Sequence, residues 1–550
     1  MESLTPKRIA DITGGEYIGD GRFKNVRVTG AVRDNRDVGP GNLFVCIRGE
    51  RVDGHSFANR AFQAGAACCL AERMIPDAEG PYVLVESTLS ALKTLAACYR
   101  AQFSIPVIGV TGSVGKTSAK EMIAAVLGEK YSVMKTEMNL NNEIGVPLTL
   151  LSVTEAHEAA VVEMGISDFG EMSRLAEMVR PDICVMTNIG YAHLKELGDL
   201  NGVLRAKSEV FAYMKPDSVA ILNGDDDLLR GFEPGIRKVT FGTGAMNDFR
   251  AENVRTEGTD AVLCEIVHSC VPAGSEGDGA SGSKSGGASV GASVGASSVE
   301  SGCVSNSESS GASGNAPGKI GVKIPAYGNH LVMAALPAVA TGFLLGITAD
   351  EAARGILSYI PVEGRANLFS TGFITLIDDS YNANPNSVRA ALESMSKQPG
   401  RHVAILGDML NLGERSEELH REIGAFAARS GVDVLICCGD EAKLIHEGYI
   451  GEKAKSASAG TSTAAVKSTS AEVKSASAGT STHGPVCFES NAELIEALPG
   501  ILREGDVVLV KASHSTCFGE IAEYIKCMCM ANIQVPRSGD TMQNLKVEGT

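Results

Sequence analysis

The run Thr111–Ser118, TGSVGKTS, combines the residue types that bind phosphate groups. It follows an apolar segment and opens a predicted helix over Lys116–Leu127, which gives the order strand, loop and helix. Glycines allow the backbone to turn successive N–H groups toward phosphate oxygens, and the helix N-terminus adds the positive end of its dipole. Lys116 would reach the outer phosphates, and the Thr117 hydroxyl would ligate Mg²⁺. Although Val110 replaces the first glycine of the strict pattern, this context favours nucleotide binding over a chance glycine-rich turn.

Three further side chains of the same region are candidates for acting on a nucleotide or a metal ion. Glu163 ends a predicted strand, His193 lies beyond the end of the next one, and Lys207 lies in a helical stretch. Ligands of parallel sheets bind at the carboxyl ends of the strands, so a carboxylate and an imidazole there are candidate ligands of Mg²⁺. A lysine beside a metal ion has to be neutral or anionic, because like charges repel. Taken singly, the three also fit a solvated carboxylate, a structural histidine and a surface lysine.

Polar clusters follow predicted strands elsewhere in the chain. Asp378–Pro385, DDSYNANP, fits an ordered turn that presents carboxylate and amide groups. Lys511–His514, KASH, follows another strand, and Arg365 lies at a domain junction from which it would reach a phosphate. Nearer the N-terminus, Asp34–Arg36 and Arg48–His55 place basic and polar groups in loops suited to a phosphorylated carrier. On sequence alone, the last two segments fit plain turns equally well.

Length and composition set the broad class of the protein. The 550 residues give room for about three domains, and 44% of them are hydrophobic, enough for several cores. A net charge of −17 argues against a nucleic-acid or anionic-membrane surface. The N-terminal residues lack the apolar segment of a secretory signal, and the apolar run Leu331–Ile347 is interpreted as a buried core helix. The 14 cysteines lack CxxC spacing and favour a reducing cytoplasm.

The order of short apolar runs predicts the domain organisation. Residues 1–103 mix short strands with a helix, whereas residues 104–361 and 362–530 alternate strands with helices. Such alternation is typical of parallel sheets covered on both faces, so two α/β domains are predicted, the second one smaller. The predicted strands are Val107–Thr111, Ala159–Met164, Ile183–Asn188, Val219–Asn223, Phe373–Ile377, Val403–Leu406, Val432–Cys437 and Val507–Val510.

Two low-complexity segments break this pattern. Residues 272–318 are rich in Gly, Ser, Ala and Val, and residues 452–484 contain the repeat KSASAGTST twice. Neither composition can bury enough apolar surface to offset the entropy of ordering the chain. We therefore predict two disordered surface insertions, and a mobile tail over residues 531–550.

Taken together, these runs resemble the Mur ligase family. The likeness covers nearly the whole chain except the two insertions and the tail. DDSYNANP is its most specific element and points to the members that add D-alanyl-D-alanine. The segments that carry the resemblance are Thr111–Ser118, Asn141–Pro147, Glu163, Asn188–His193, Lys207, Asp378–Pro385 and Gly407–Gly413.

The resemblance implies an α/β protein of three domains: a small UDP-sugar-binding domain, a central P-loop ATPase domain with a parallel sheet, and a C-terminal Rossmann-like domain. It implies that ATP phosphorylates the terminal carboxylate of UDP-N-acetylmuramoyl-tripeptide, and that the amine of D-alanyl-D-alanine attacks the acyl phosphate. ATP, two Mg²⁺ ions and a carbamylated Lys207 are the implied cofactors, since a carbamate is an anion and removes the repulsion noted above. A cytoplasmic monomer acting in peptidoglycan synthesis is expected, with no nucleic-acid partner and no membrane insertion.

The resemblance also implies roles for individual residues, with Lys116, His193 and Lys207 acting in catalysis. The implied nucleotide-binding residues are Gly112, Ser113, Val114, Gly115, Lys116, Thr117, Ser118, Asn142, Arg365 and Asp379. The implied metal ligands are Thr117, Glu163, His193 and Lys207. The implied substrate contacts are Asn35, Arg36, Arg48, Asp53, Gly54 and His55 for the uridine nucleotide, Asn382 and Asn384 near the point where the two substrates meet, and Lys511 and His514 for the dipeptide.

The chain departs from the family pattern at five of its positions. Asn35 stands where Ser or Thr is usual, Leu331 and Ala334 replace two asparagines, and Ala512 and His514 replace Gly and Arg. The sequence also fits two other hypotheses, namely an amide ligase with a different acceptor and a nucleotide-binding scaffold without turnover. Release of phosphate from ATP that depends on the dipeptide would separate them from the ligase.

Overall fold

The computed structural model of the protein describes residues 4–49, 52–258, 261–268, 318–459 and 486–530. Within these ranges the chain forms three sheets, of five, nine and six strands. The predicted class, three α/β domains, is therefore confirmed. The strands of each sheet fall within one of the three predicted ranges, while the domain boundaries themselves stay a prediction. The predicted tail, nearly all of the first insertion and residues 460–484 of the second lie outside the described residues.

The N-terminal sheet has the strand order β1-β5-β4-β3-β2, with β1 antiparallel to β5 and the other pairs parallel. Its longest helix, α3, buries Leu92, Leu95 and Tyr99, which lie on one face because their spacing follows the helical period. The elements are β1 (Glu16–Ile18), β2 (Ala31–Val32), β3 (Leu43–Val45), β4 (Cys68–Ala71), β5 (Tyr82–Leu84), α1 (Pro6–Thr13), α2 (Ala58–Gln63) and α3 (Thr88–Arg100).

The middle sheet has the order β14-β13-β12-β11-β10-β9-β6-β8-β7. Strands β6 to β12 pair in parallel, and β13 and β14 extend the sheet with antiparallel pairing. The strands are β6 (Val107–Thr111), β7 (Val133–Lys135), β8 (Ala159–Glu163), β9 (Ile183–Met186), β10 (Val219–Asn223), β11 (Arg237–Gly242), β12 (Phe249–Glu257), β13 (Ala261–His268) and β14 (Gly318–Ile324). The helices are α4 (Lys116–Leu127), α5 (Gly145–Leu151), α6 (Glu171–Val179), α7 (Leu194–Leu197), α8 (Leu200–Ser208), α9 (Asp227–Arg230), α10 (Val332–Leu344) and α11 (Ala349–Leu357).

Helices cover both faces of the middle sheet, as its apolar strands predicted. Every residue of β6 is buried, and Ile108 and Val110 pack with α4 and α10, whereas Val107 belongs to the core on the opposite face. A strand buried on both faces reads as a continuous apolar run. Helix α4 begins and ends at the predicted residues.

The apolar run Leu331–Ile347 forms the buried helix α10, which confirms its interpretation as a core element. It packs against α4 on the covered side of the middle sheet. In the part of the chain that the structure describes, no helix combines the length and the apolar composition needed to cross a membrane.

The C-terminal sheet has the order β15-β16-β20-β17-β18-β19, antiparallel only at the β15 edge. The strands are β15 (Asn367–Ser370), β16 (Thr375–Asp378), β17 (Arg401–Gly407), β18 (Val434–Cys438), β19 (Val486–Phe488) and β20 (Asp506–Lys511). The helices are α12 (Pro385–Met395), α13 (Ser416–Arg429), α14 (Ala442–Ala459), α15 (Asn491–Ile501) and α16 (Gly519–Met530).

Helix α14 corrects one prediction, because it continues into the segment 452–484 that was predicted to be disordered from its first residue. Residues 452–459 complete the helix. Glu452 forms an ion pair with Arg429 of α13 at 2.9 Å, and the neighbouring Lys and Ala residues are strong helix formers. Contacts with α13 therefore order the start of a segment whose composition alone suggested disorder.

Tyr99 joins the N-terminal unit to the middle unit, and its hydroxyl donates a buried hydrogen bond of 2.7 Å to the Val153 carbonyl. We expect Tyr99→Phe to lower the free energy of unfolding by about 1 kcal/mol, because that carbonyl loses a buried donor. The thermal midpoint should fall by roughly 2–4 °C. Tyr213→Phe is the control, since the Tyr213 hydroxyl has no hydrogen-bond partner among the described residues. An unchanged midpoint for Tyr99→Phe would contradict this account.

Candidate active site

A cavity of about 870 Å³ lies between the middle and C-terminal sheets. Its walls include the segments that follow β6, β8 and β9 of the middle sheet and β16, β17 and β20 of the C-terminal sheet. The carboxyl ends of parallel strands from both sheets therefore face one space, which is where open α/β sheets bind their ligands.

The phosphate-binding loop is held in shape by residues that follow β9. The Asn188 side-chain oxygen accepts hydrogen bonds from the backbone N–H groups of Ser113, at 3.2 Å, and Val114, at 2.9 Å. The Thr187 hydroxyl donates to the Val114 carbonyl at 2.6 Å. Gly112 has a φ of +141° and Gly115 a φ of +80°, conformations that favour glycine. Seven consecutive loop residues, Gly112 to Ser118, line the cavity.

Lys116 lies over the loop and donates a hydrogen bond of 2.9 Å from Nζ to the Gly112 carbonyl. Burial lowers the pKa of the Lys116 ammonium, an effect that the Glu163 carboxylate opposes. A carbonyl is a weak partner for this half-buried ammonium compared with a phosphate oxygen, with which the hydrogen bond would be charge-assisted on both sides. The loop thus presents a cation where the outer phosphates of a nucleotide would lie.

Glu163 ends β8 inside the cavity and has only 1% of its surface exposed. Its Oε1 accepts hydrogen bonds from the Thr117 hydroxyl, at 3.3 Å, and from the Asn141 amide, at 2.8 Å. Its Oε2 is buried and has no hydrogen-bond partner among the described residues. A buried carboxylate oxygen without a donor is costly unless a cation approaches it. The Thr117 and Glu163 pair therefore fits an oxygen-preferring divalent ion such as Mg²⁺.

His193 and Lys207 bring two basic groups to the same cavity. His193 adopts a left-handed conformation with φ +54° just before α7, and Lys207 is 2% exposed on α8. Burial, with contributions from Lys207 and Lys116, lowers the pKa of His193 to about 4. Burial also holds the pKa of Lys207 well below its usual range, and Lys116 adds to this. The imidazole is therefore neutral, the form that binds metals, and the neutral amine of Lys207 is favoured.

Arg365 reaches from the start of the C-terminal unit into the middle unit. Its Nη2 donates to the Thr117 hydroxyl at 3.3 Å, and its guanidinium lies 3.9 Å from the centre of the Tyr381 ring. The Tyr381 ring contacts that of His514, with centres 4.9 Å apart. The Nε of Arg365 is buried without a hydrogen-bond partner among the described residues. A donor left over in this position suits an anionic ligand.

Lys511 and the turn after β16 form a compact network. The Lys511 ammonium is 2% exposed and lies 2.5 Å from Asp379 Oδ2 and 2.8 Å from the Asn382 carbonyl. Burial lowers the pKa of Lys511, and the attraction of Asp379 opposes that shift. Asn384 uses its side chain to cap α12 through the Ser387 N–H. Lys511 and Asn384 thus hold the turn in place, and the turn faces the cavity.

Not every predicted residue meets at this cavity. The six candidates for the uridine nucleotide are absent from its walls, and their role stays a prediction. Both ring nitrogens of His55 are in use: Nδ1 lies 2.7 Å from Asp53 Oδ1, and Nε2 accepts from the Glu72 N–H at 2.9 Å. Arg36 forms an exposed ion pair with Asp34.

Among the five departures, Leu331 and Ala334 line the cavity beside Tyr327 and Met333 and form an apolar wall. His514 also lines it, whereas Ala512 is fully buried and is absent from the walls.

The predicted nucleotide contact Asn142 lines the cavity too. Its side-chain oxygen accepts hydrogen bonds from the Ile144 and Gly145 N–H groups at the start of α5.

Sequence reasoning missed the side chains that orient the predicted ones. Asn141 holds Glu163, and Asn188 and Thr187 hold the phosphate loop, although the first two lie in segments that carried the resemblance. Lys120 is fully buried one helical turn after Lys116, and nothing in its sequence context marked it. An amide or hydroxyl at the carboxyl end of a predicted strand is the signal that would have found Asn188 and Thr187.

The two glycines of the loop allow a matched test of its geometry without nucleotide. A Cβ on Gly112 would lie 2.0 Å from the Thr187 hydroxyl, whereas a Cβ on Gly115 would meet no atom within 4 Å. Gly115→Ala should cost about 1–2 kcal/mol of stability from its positive φ alone. Gly112→Ala should cost about 1–3 kcal/mol more, because it adds a steric clash. Thermal denaturation of the ligand-free variants measures both, and equal losses would contradict the clash.

Three models of Mur ligase domains match successive parts of the chain. The Mur ligase family, catalytic domain matches residues 27–100, the Mur ligase middle domain residues 110–273, and the Mur ligase, glutamate ligase domain residues 364–514. The UDP-N-acetylmuramoyl-tripeptide–D-alanyl-D-alanine ligase of Bacillus subtilis is 35% identical over 82% of this chain and 88% of that protein. The enzyme of the same name from Escherichia coli is 33% identical over 81% of this chain and 88% of that protein.

Solved structures give the same result. The crystal structure of MurF from Acinetobacter baumannii is 26% identical, covers 95% of this chain and 99% of its own, and superposes with a TM-score of 0.73. The MurF ligase of Thermotoga maritima in complex with ADP is 25% identical, covers 93% of this chain and 100% of its own, and has a TM-score of 0.69. Since sequence and fold agree along all three units, the chain belongs to the Mur ligase family.

Proposed function

We propose that the chain is an ATP-dependent ligase that joins D-alanyl-D-alanine to UDP-N-acetylmuramoyl-tripeptide in peptidoglycan synthesis. One observation carries the proposal: a single cavity contains the phosphate loop, the Thr117 and Glu163 pair, and the turn DDSYNANP. The names of the relatives from Bacillus subtilis and Escherichia coli support the same substrates. The ADP complex of the relative from Thermotoga maritima supports the use of ATP.

Mg²⁺ fits the residues present. Thr117 and Glu163 would hold one ion, because their neighbouring hydroxyl and carboxylate oxygens are the ligands that Mg²⁺ prefers. Neutral His193 and Lys207 as its carbamate would hold a second ion together with Glu163. When bound, such ions neutralise charge on a phosphoryl group in transfer.

Carbamylation of Lys207 follows from its surroundings. The neutral amine attacks the carbon of CO₂, a C–N bond forms, and one proton leaves to solvent. The product is a carbamate anion, which can face the ammonium of Lys116 without repulsion. Because burial lowers the pKa of Lys207, it raises the fraction of the neutral amine, which is the form that reacts with CO₂.

In the first chemical step, an oxygen of the tripeptide's terminal carboxylate attacks the γ-phosphorus of ATP. A new O–P bond forms, the bond between the γ-phosphorus and the bridging oxygen breaks, and ADP leaves. Lys116 and Arg365 would stabilise the charge that develops on the phosphoryl oxygens. The unpartnered Arg365 Nε provides a donor for this purpose.

In the second step, the amine nitrogen of D-alanyl-D-alanine attacks the acyl carbon. The C–N bond forms, the C–O bond to phosphate breaks, and the amine loses a proton. Water would compete for the acyl phosphate, so the cavity has to exclude it. The two units touch across the cavity through the Lys195 N–H and the Asn411 carbonyl, at 3.4 Å, and through the Tyr327 hydroxyl and the Ser394 carbonyl.

One copy of the chain provides all the parts of the proposed active site. Phosphate loop, metal ligands and acceptor turn come from one polypeptide, so one chain is the expected catalytic unit. We expect it to act in the cytoplasm, on small-molecule substrates and without nucleic acid.

The first test measures phosphate release with ATP, Mg²⁺, the UDP-linked tripeptide and D-alanyl-D-alanine, omitting each in turn. The tripeptide is supplied in its lysine and its diaminopimelate forms. We expect a product heavier by one dipeptide minus water, detected by mass spectrometry and abolished by Lys116→Ala. If phosphate is released at the same rate without the dipeptide and no ligated product forms, the result would instead favour a nucleotide-binding scaffold. A product formed only with another amine would favour a ligase with a different acceptor.

A second test addresses Lys207. With ¹³C-labelled bicarbonate, NMR should show a carbamate signal in the unaltered protein and none in Lys207→Met, whose ligase activity should fall roughly 100-fold or more. Lys215→Met is the control, because Lys215 is an exposed lysine that pairs with Asp182 on the surface. Retention of the signal in Lys207→Met would exclude Lys207 as its site.

A further inference from the structure

Lys120 is a fully buried lysine that the chemistry above does not use. It lies on α4, three residues after Thr117, and its side chain is 1% exposed. A buried ammonium is costly unless hydrogen bonds and opposite charges surround it. The groups around Lys120 therefore indicate what keeps it in the core.

Two contacts fix the Lys120 ammonium. Its Nζ donates to the Thr136 carbonyl at 2.6 Å and lies 2.9 Å from Glu121 Oε1. On a third side it faces Glu163 Oε2 at 4.0 Å. That separation is too long for a hydrogen bond, yet short for an attraction between two buried charges. The oxygen that Lys120 faces is the one without a hydrogen-bond partner among the described residues.

Thr136 connects both members of this pair. Its carbonyl accepts from Lys120, and its hydroxyl accepts from the backbone N–H of Glu163 at 3.0 Å. Thr136 is fully buried and directly follows β7, the neighbour of β8 in the sheet. The two charged groups are thus set at a fixed separation by one rigid residue.

If the chain has the proposed function, the geometry points to Lys120 as a positioning residue of the metal site. This buried cation would hold the Glu163 carboxylate in the orientation in which it binds Mg²⁺ together with Thr117. Thr117 and Asn141 restrain Oε1 of that carboxylate by hydrogen bonds. Lys120 restrains Oε2 by electrostatic attraction. Lys120 also repels a metal ion from its own side. An ion is therefore directed to the side of Thr117, where the phosphates of a nucleotide would lie.

Charge balance for Glu121 is the competing explanation for Lys120. Glu121 has a second partner, because it also forms a hydrogen-bonded ion pair with Lys135, whose side chain is 45% exposed. Burial opposes the ionised form of Glu121, but hydrogen bonds from Lys135 and Lys120 lower its pKa. Lys135 shares Glu121 with Lys120 but is not paired with Glu163, so Lys135→Met is a matched control.

The test compares Lys120→Met with Lys135→Met in the full chain. Electron paramagnetic resonance measures Mn²⁺ affinity with ADP present, and calorimetry measures ADP affinity in EDTA. We expect Lys120→Met to weaken Mn²⁺ binding at least tenfold and to raise the half-saturating Mg²⁺ concentration of the ligase by a similar factor. ADP affinity in EDTA should stay within twofold, and Lys135→Met should change none of these quantities by more than twofold.

Unchanged or tighter Mn²⁺ binding in Lys120→Met would overturn the inference, as would equal losses in Lys135→Met. If Lys120→Met fails to fold, Lys120→Gln replaces it, since an amide still donates to the Thr136 carbonyl but carries no charge. The same loss of Mn²⁺ affinity is expected for Lys120→Gln, and unchanged affinity would again overturn the inference. Failure of the unaltered protein to bind Mn²⁺ with ADP would instead contradict the proposed function.

Discussion

Positive charge that is partly removed from water is the constraint on which the candidate site depends. Lys116 and Arg365, both half-buried, face a single cavity, in a chain whose net charge is −17. Asp379, an acid of the same cavity, is already paired with Lys511. Cations removed from water need anions close by, and the Arg365 Nε has no hydrogen-bond partner among the described residues. A polyanionic ligand such as a nucleoside triphosphate completes the balance, so the stability of the loaded site and its chemistry have the same origin.

The fold brings charged side chains together because the carboxyl ends of strands from the middle and C-terminal sheets face the same cavity. Glu163 and Lys511 are the last residues of β8 and β20, in two different sheets, and both face the cavity although they are almost completely buried. A side chain at a strand end is held by the sheet behind it, which gives it little freedom to move toward water. His193 lies in the segment between β9 and α7, where its positive φ turns the chain and its side chain lines the same cavity. Rigid sheets thus concentrate charges that flexible loops would disperse into solvent.

The local parts of this arrangement were predictable from the sequence, and the long-range parts were not. The bounds of β6 and α4 follow from an apolar run and a glycine-rich loop, both of which are local signals. Burial of Lys120 depends on Thr136 and Glu163, which are distant in sequence, and lysine by itself suggests an exposed position. The same limit explains α14, whose end is ordered by a contact with α13 that composition does not reveal. Residue types therefore predicted which side chains line the cavity better than which side chains hold them in place.

Thr117 connects the metal site with the approach of the two units. Its hydroxyl donates to Glu163 and accepts from Arg365, which belongs to the C-terminal unit. Since a guanidinium and a divalent ion are both cations, they cannot share that hydroxyl at close range. Arrival of a metal–nucleotide complex would therefore move Arg365 from Thr117 toward the phosphates, where its unpartnered Nε gains an acceptor. One of the contacts that join the units before the nucleotide binds would thereby be replaced by a contact made through the nucleotide, and closure of the cavity would become linked to the presence of its substrate.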